Sequence, residues 1–478
     1  MINKIYNILP QFCKDLTVEI NRDLRLLWFM FVKPKGTKKC QDKSFLAYQK
    51  SRKYGPLKHI CYAPYTSMFF ARNGKVSPCY ASYNDNSSSI DNASIHDIWF
   101  KGSFAKIREE HNNCDFETTC QFCNKLMLQK SYGSLLINKY EHYAFSKSKY
   151  PTIMEFELSN KCNLSCIMCD SNLSSSIEKN KKDDITDNKH YDKSFIEQLD
   201  EFIPHLQLAE FTGGDPFMIK EYYEIWDKIA KINPKCHILI TTNANTMNPK
   251  IEHLLNTHKN IHFNVSIDSL EKENYENIRR GGKFEYALHN IDIFIDYCRK
   301  NKTNLNILVC PMTVNRHELH KFVEFANSKN ICVYYHTVIK PKELSLKYLD
   351  KQLLQETISN LQTFEAPKKT KKQKTNFENY QNLVKLLINW EKEDKKEEST
   401  NKKEELLTKT QALELILSKI DGNSNLNKKL MALLDELNKT DVYLTIIGKL
   451  VKIENNIFVE YLQTKTVEEL KEICLNLK

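Results

Sequence analysis

The chain has 478 residues, with 70 Lys and Arg against 60 Asp and Glu and a formal charge of +10. Its 41% hydrophobic content excludes a disordered chain, and the length suggests two to four domains. Much of the charge excess is local, in Lys368-Lys369-Thr-Lys371-Lys372-Gln-Lys374, with no helix-turn-helix, zinc-finger or RRM-like pattern beside it, so nucleic-acid binding is not expected.

Residues 1–56 read as a helical or irregular segment. The start lacks an apolar core followed by a small-residue cleavage site. The most hydrophobic early run, Leu24 to Val32, is too short to span a bilayer. A cytoplasmic protein without a membrane span is expected, so its clustered cysteines are better read as metal ligands than as disulfides.

Residues 57–130 hold the first cysteine set: Cys61, Cys79, Cys114, Cys120 and Cys123. Cys79 closes the turn Asn73-Gly74-Lys75-Val-Ser-Pro-Cys79. A strand-like segment follows Cys61, and helix-like stretches at Ser94–Trp99 and Phe104–Arg108 lead to Cys120-x2-Cys123. An all-cysteine zinc site is one reading of such a set.

From 150 to 341 strand-like and amphipathic segments alternate at βα spacing. The predicted strands are Thr152–Leu158, Leu206–Phe211, His237–Thr242, His262–Ile267, Asn304–Cys310 and Ile331–His336. Six such units fall short of the eight that close a TIM barrel. The fold class expected is therefore α/β, a partial (β/α)6 TIM-like barrel with chemistry at the carboxyl ends of its strands. The first strand runs into Cys162-x3-Cys166-x2-Cys169. Three thiolates from one loop hold three irons of a cubane and leave the fourth open. The second strand ends in Thr212-Gly213-Gly214-Asp215-Pro216, where paired glycines allow close approach and a carboxylate could meet an ammonium group. A long polar stretch between Cys169 and Phe195 reads as a lid or as disordered chain.

The cysteine loop and the strand ends after it resemble the radical S-adenosylmethionine (SAM) enzymes. That resemblance implies a [4Fe-4S] cluster on Cys162, Cys166 and Cys169, with SAM on its open iron. Gly213, Gly214 and Asp215 resemble the family's GGE motif, which holds the methionyl amine, with Asp in place of Glu. Thr242-Asn243 and Ser266-Ile-Asp268 resemble strand ends that contact ribose and carboxylate, and Arg279 is placed to pair with that carboxylate. Met168 replaces the commoner aromatic and is expected to pack on the adenine. The G-x-I-x-G-x-x-E pattern of some relatives is absent.

The first cysteine set in turn resembles the twitch domain, a shortened SPASM module, in its less common amino-terminal position. By that resemblance Cys61, Cys79, Cys120 and Cys123 ligate an auxiliary [4Fe-4S] cluster that accepts an electron, and Cys114 is surplus or a substitute ligand.

Residues 342–403 read as a helical and charged linker, and 404–478 as a helical region. Helices are predicted over Asn376–Trp390, Leu406–Ile420 and Leu426–Leu437, with a capping box at Thr466-Val-Glu-Glu469 opening the last. Cys310 and Cys332 are weaker candidates for a catalytic thiol. Three functions compete: oxidation or cross-linking of a small molecule, modification of a ribosomal peptide or protein side chain, and electron transfer without catalysis. The first is favoured, served by an electron donor such as a flavodoxin or ferredoxin.

Overall fold

The structure is a computed structural model that describes residues 42–82, 87–144, 146, 148–178, 191–404, 416–417, 424–438, 450 and 455–476. The early apolar run and most of the helix predicted over Leu406–Ile420 lie outside these residues, as does the middle of the polar stretch after Cys169. The chain divides into two compact units, Met1–Val384 and Lys385–Lys478.

The first unit is organised by one sheet, in the order β3-β2-β1-β4-β5-β6-β7-β8-β9. All six predicted strands are present: β4 (Ile153–Phe156), β5 (Leu208–Phe211), β6 (His237–Thr242), β7 (Ile261–Ser266), β8 (Leu305–Val309) and β9 (Cys332–Tyr335). Each pairs in parallel with the next. The three remaining strands, β1 (Ser67–Phe70), β2 (Lys75–Ser77) and β3 (Ser88–Ser89), come from the first cysteine region. β1 runs parallel to β4, with Phe70 opposite Phe156. The three strands of the first cysteine region therefore extend the barrel sheet, while that region also has a hydrophobic cluster of its own, including Phe45, Tyr48, Met127 and Tyr140.

Alternation along the strands sorts the side chains. In β7, Ile261, Phe263 and Val265 are buried while His262, Asn264 and Ser266 are half-buried. The buried row packs against helices, with Phe263 stacked on Phe294 of helix Phe284–Asn301 and Phe211 edge-on to Trp226 of helix Lys220–Ile232. The opposite row faces the lumen and mixes polar residues (Glu155, Glu210, His262, Asn264 and Asn306) with apolar ones (Ile153, Leu208, Leu239 and Leu308). A TIM barrel filled by its own branched residues has no such row.

Residues 342–384 behave as part of this unit, where a linker was expected. Helix Lys351–Gln362 buries Leu354, Thr357, Ile358 and Leu361. A longer helix, Lys371–Glu404, begins on the outer strand, where Asn376 accepts from Val333 N–H at 2.9 Å and donates to Ile331 O at 2.9 Å. Its backbone continues through the run predicted as a mixed-charge linker, since Lys and Glu are good helix formers and no breaker interrupts them.

In the second unit, helices Ser424–Asn438, Asn455–Thr464 and Val467–Asn476 share an apolar core that includes Leu430, Leu434, Leu462 and Leu470. The capping box is reciprocal: Thr466 N–H donates to Glu469 at 2.7 Å and Glu469 N–H to Thr466 Oγ at 3.2 Å. No helix among the described residues is long and apolar enough to cross a membrane.

Candidate active site and auxiliary metal site

Cys162, Cys166 and Cys169 sit in the loop at the carboxyl end of β4, held by backbone on both sides. Gly214 N–H donates to Ser159 O at 3.0 Å and Asp215 N–H to Lys161 O at 2.7 Å. On the far side Ser165 N–H reaches Arg280 O and Ile167 N–H reaches Ile278 O. The serines after the loop close it. Ser174 donates to Leu164 O at 2.6 Å, Ser176 donates to Cys162 O at 2.7 Å, and Ser175 Oγ accepts from Cys162 N–H.

This changes the role of the glycine pair. A Cβ on Gly214 would overlap the carbonyl oxygens of Asn160 and Lys161, and one on Gly213, at φ +109°, would overlap that of Ser159. The close approach these glycines allow is to the cysteine loop itself. The Gly214 and Asp215 N–H groups are zipped to that loop, which leaves the carbonyl side of the turn for a ligand.

Asp215 is a second correction. Its carboxylate is fully buried and takes Thr242 O–H at 2.7 Å, Asn243 N–H at 2.8 Å and Phe217 N–H at 3.1 Å. Burial raises its pKa and these donors oppose the rise. It fastens the end of β5 to the end of β6 and does not face a ligand ammonium. Arg279 is a third. It forms a buried ion pair with Asp268 at 2.7 Å and points Nη1 at Cys166 Sγ at 3.9 Å. Asp268 also accepts from Cys310 N–H at 2.7 Å. The guanidinium therefore faces a candidate ligand sulfur where a ligand carboxylate was expected.

Asn243, at the end of β6, directs Nδ2 to Cys162 Sγ at 3.7 Å and to Asn163 Oδ1 at 2.9 Å. Ser266 ends β7 on the lumen row. Met168 packs with Ile167 and Cys310 against Ile278, Met312 and Val338. Sequence reasoning passed over Asn163 and the serines at 174–176, whose only signal was nearness to the cysteines, and Asn245, whose backbone oxygen accepts from Asn163 Nδ2 at 3.1 Å and which no local signal marks.

Cys61, Cys79, Cys120 and Cys123 line one cavity with Ala63, Pro64, His111, Phe116, Leu136, Ile137 and Tyr140. His111 was also missed. It is 2% exposed, lies 3.3 Å from Cys120 Sγ through Nε2, and is held neutral by burial, its pKa lowered to about 3. Cys114 is paired in a disulfide and so is surplus to the set. Burial pushes Cys162 up to about 11 and Cys169 up to about 12, and raises Cys61, Cys79 and Cys120, so metal loading displaces protons from both sets.

The two sites lie at opposite ends of the same strands. Cys61 precedes β1 and Cys79 follows the antiparallel β2, at the amino end of β4, whereas Cys162 lies beyond its carboxyl end. β4 alone separates them by on the order of 13 Å.

Comparison with known proteins agrees. Residues 156–326 match the radical SAM superfamily, and residues 61–124 match the SPASM iron-sulfur cluster-binding domain. The chain thus carries a radical SAM domain with a SPASM/twitch domain on its amino-terminal side. These domains imply a [4Fe-4S] cluster with SAM at the first site and an auxiliary iron–sulfur cluster at the second. A GTP 3′,8-cyclase of Clostridium botulinum is 24% identical over 222 residues, 46% of this chain and 67% of the relative. One of Petrotoga mobilis is 25% identical over 201 residues, 40% of this chain and 57% of the relative. Among solved structures, anSMEcpe with bound AdoMet aligns at a TM-score of 0.35 and 18% identity over 44% of this chain and 59% of that one. Streptococcus suis SuiB aligns at 0.33 and 17% over 53% and 60%. The chain spans about two thirds or less of the length of each.

Proposed function

We propose that this protein is a radical SAM enzyme that oxidises or cross-links a polar small molecule held in the barrel lumen. The observation behind this reading is the placement of Cys162, Cys166 and Cys169 at the carboxyl end of β4, above a lumen face that carries the polar side chains Glu155, Glu210, His262, Asn264 and Asn306. When bound, the cluster and SAM supply a 5′-deoxyadenosyl radical that takes hydrogen from an unactivated C–H bond. The chain's own residues position and exclude. Cys162, Cys166 and Cys169 ligate the cluster, while the carbonyl side of Gly213-Gly214 receives the methionyl amine. Asn243 and Ser266 border the ribose, Met168 borders the adenine, and Thr242 braces Asp215. Asp215, Asp268 and Arg279 keep these strand ends in register. Cys61, Cys79, Cys120 and Cys123 hold the auxiliary cluster as an electron acceptor, and a flavodoxin or ferredoxin serves as the reductant.

The test uses anaerobically reconstituted protein, dithionite, SAM and size-fractionated lysate from cells grown in deuterated medium. Deuterium in 5′-deoxyadenosine, read by mass spectrometry, is expected from the small-molecule fraction. Label from the peptide and protein fraction alone would replace this reading with a peptide maturase.

A further inference from the structure

The five-residue helix Ile137–Glu141 belongs to the auxiliary region, yet its side chains reach into the barrel. Tyr140, 1% exposed, lines the four-cysteine cavity and donates its hydroxyl to Glu155 Oε1 at 2.7 Å. Lys139 spans Glu155 Oε2 at 2.8 Å and Glu210 Oε2 at 2.6 Å. The two carboxylates face each other because Glu155 of β4 and Glu210 of β5 are in register. Glu141 is clamped by Arg52 at 2.7 Å and Tyr48 at 2.6 Å, which fixes the helix.

The network is unevenly satisfied. Glu155 accepts from Tyr140, Lys139 and Ser67 Oγ (3.1 Å), whereas Glu210 has Lys139 as its one donor among the described residues. Burial raises the Glu210 pKa and Lys139 opposes the rise; with both carboxylates ionised, one cation against two anions leaves a net negative charge. The Glu155 and Glu210 side chains are only 8% and 15% exposed, so water and salt screen that charge weakly.

We propose that Lys139, Tyr140, Glu155 and Glu210 are positioning residues that join the auxiliary site to the lumen and set the reduction potential of the cluster held by Cys61, Cys79, Cys120 and Cys123. The inference rests on reading that site as an iron–sulfur centre. Potentials of such centres follow the charge and hydrogen bonds around them. A net negative charge one tyrosine away disfavours an added electron and holds the potential low.

The experiment uses full-length protein carrying Cys162→Ala, Cys166→Ala and Cys169→Ala, so that only the auxiliary site loads iron. Iron per chain and the midpoint potential, from an EPR-monitored redox titration, are read for this parent and for added Glu210→Gln or Glu210→Asp. The expected result is an upward shift for Glu210→Gln with iron unchanged, and a midpoint near the parent for Glu210→Asp, which keeps the charge. An unmoved midpoint in Glu210→Gln at full iron overturns the inference and leaves the cluster reading standing. An equal shift in both variants also overturns it, because packing and not charge would then be the cause. Iron lost from Glu210→Gln alone does the same, marking the network as part of the fold. No iron in the parent overturns both readings.

Discussion

Gly214 shows how tightly single residues constrain the radical site. Its missing side chain is the space in which the carbonyls of Asn160 and Lys161, the two residues before Cys162, lie. In Gly214→Ala either the β5 turn or the cysteine loop must move, and the Gly214 and Asp215 N–H bonds that zip them go with it. Reconstituted Gly214→Ala is expected to lose iron from the radical site and keep it at the auxiliary site, halving the iron per chain. Full iron would mean that the glycine serves only the ligand. The same scale explains why Asp215 and Arg279 were misread. Their charge and position in sequence were visible, but their partners were not: Thr242 and Asn243 at the end of β6 for one, Asp268 just after β7 and Cys166 in the loop after β4 for the other. A buried carboxylate with three donors and an exposed one waiting for a ligand are spelled alike.

Among elements, the six barrel strands were legible because period-two burial and β-branched runs are local signals. What covers the edge of β9 was not. Helix Lys371–Glu404 presents Asn376 to the outer strand, and its side-chain amide stands in for the missing neighbour by bonding Val333 N–H and Ile331 O. Asn376 is fully buried, so Asn376→Leu strands both backbone groups without a partner. A loss of about 3 kcal/mol is expected in denaturant unfolding of the first unit. A change within error would place the stability of that edge elsewhere. On β6 and β7, His237 Nδ1 and His262 Nε2 lie 2.8 Å apart. Burial, with His237 beside it, lowers His262 from 6.5 to about 4. The folded state thus binds fewer protons than the unfolded chain in that window. Its stability is fully present above the ordinary histidine value and declines as pH falls from 6.5 toward 4. The slope of melting temperature against pH across that window is expected to flatten in His262→Gln. An unchanged slope would assign the acid sensitivity to other groups.

At the scale of the whole molecule, two metal sites share one sheet from opposite ends. The candidate ligand cysteines of both sites stand out by their spacing, since thiolate chemistry narrows what such a pattern can be. Their relation was not, because it depends on β1 joining β4 in parallel, a pairing across more than eighty residues of chain. The same pairing brings Tyr140 and Lys139 beneath the lumen, where no local pattern marks them. Zinc and iron–sulfur readings of the first set also stayed open in the sequence, and the match of residues 61–124 to the SPASM iron-sulfur cluster-binding domain favours the cluster. The central claim is that the Cys162 loop activates SAM while the auxiliary site stands independently. The most direct measurement is 5′-deoxyadenosine formed from SAM under dithionite, alongside iron per chain, in the reconstituted wild-type protein and in Cys166→Ala. The account expects 5′-deoxyadenosine and methionine from the wild type, and none from the variant, which keeps its auxiliary iron. A wild-type protein fully loaded with iron that forms no 5′-deoxyadenosine would contradict it.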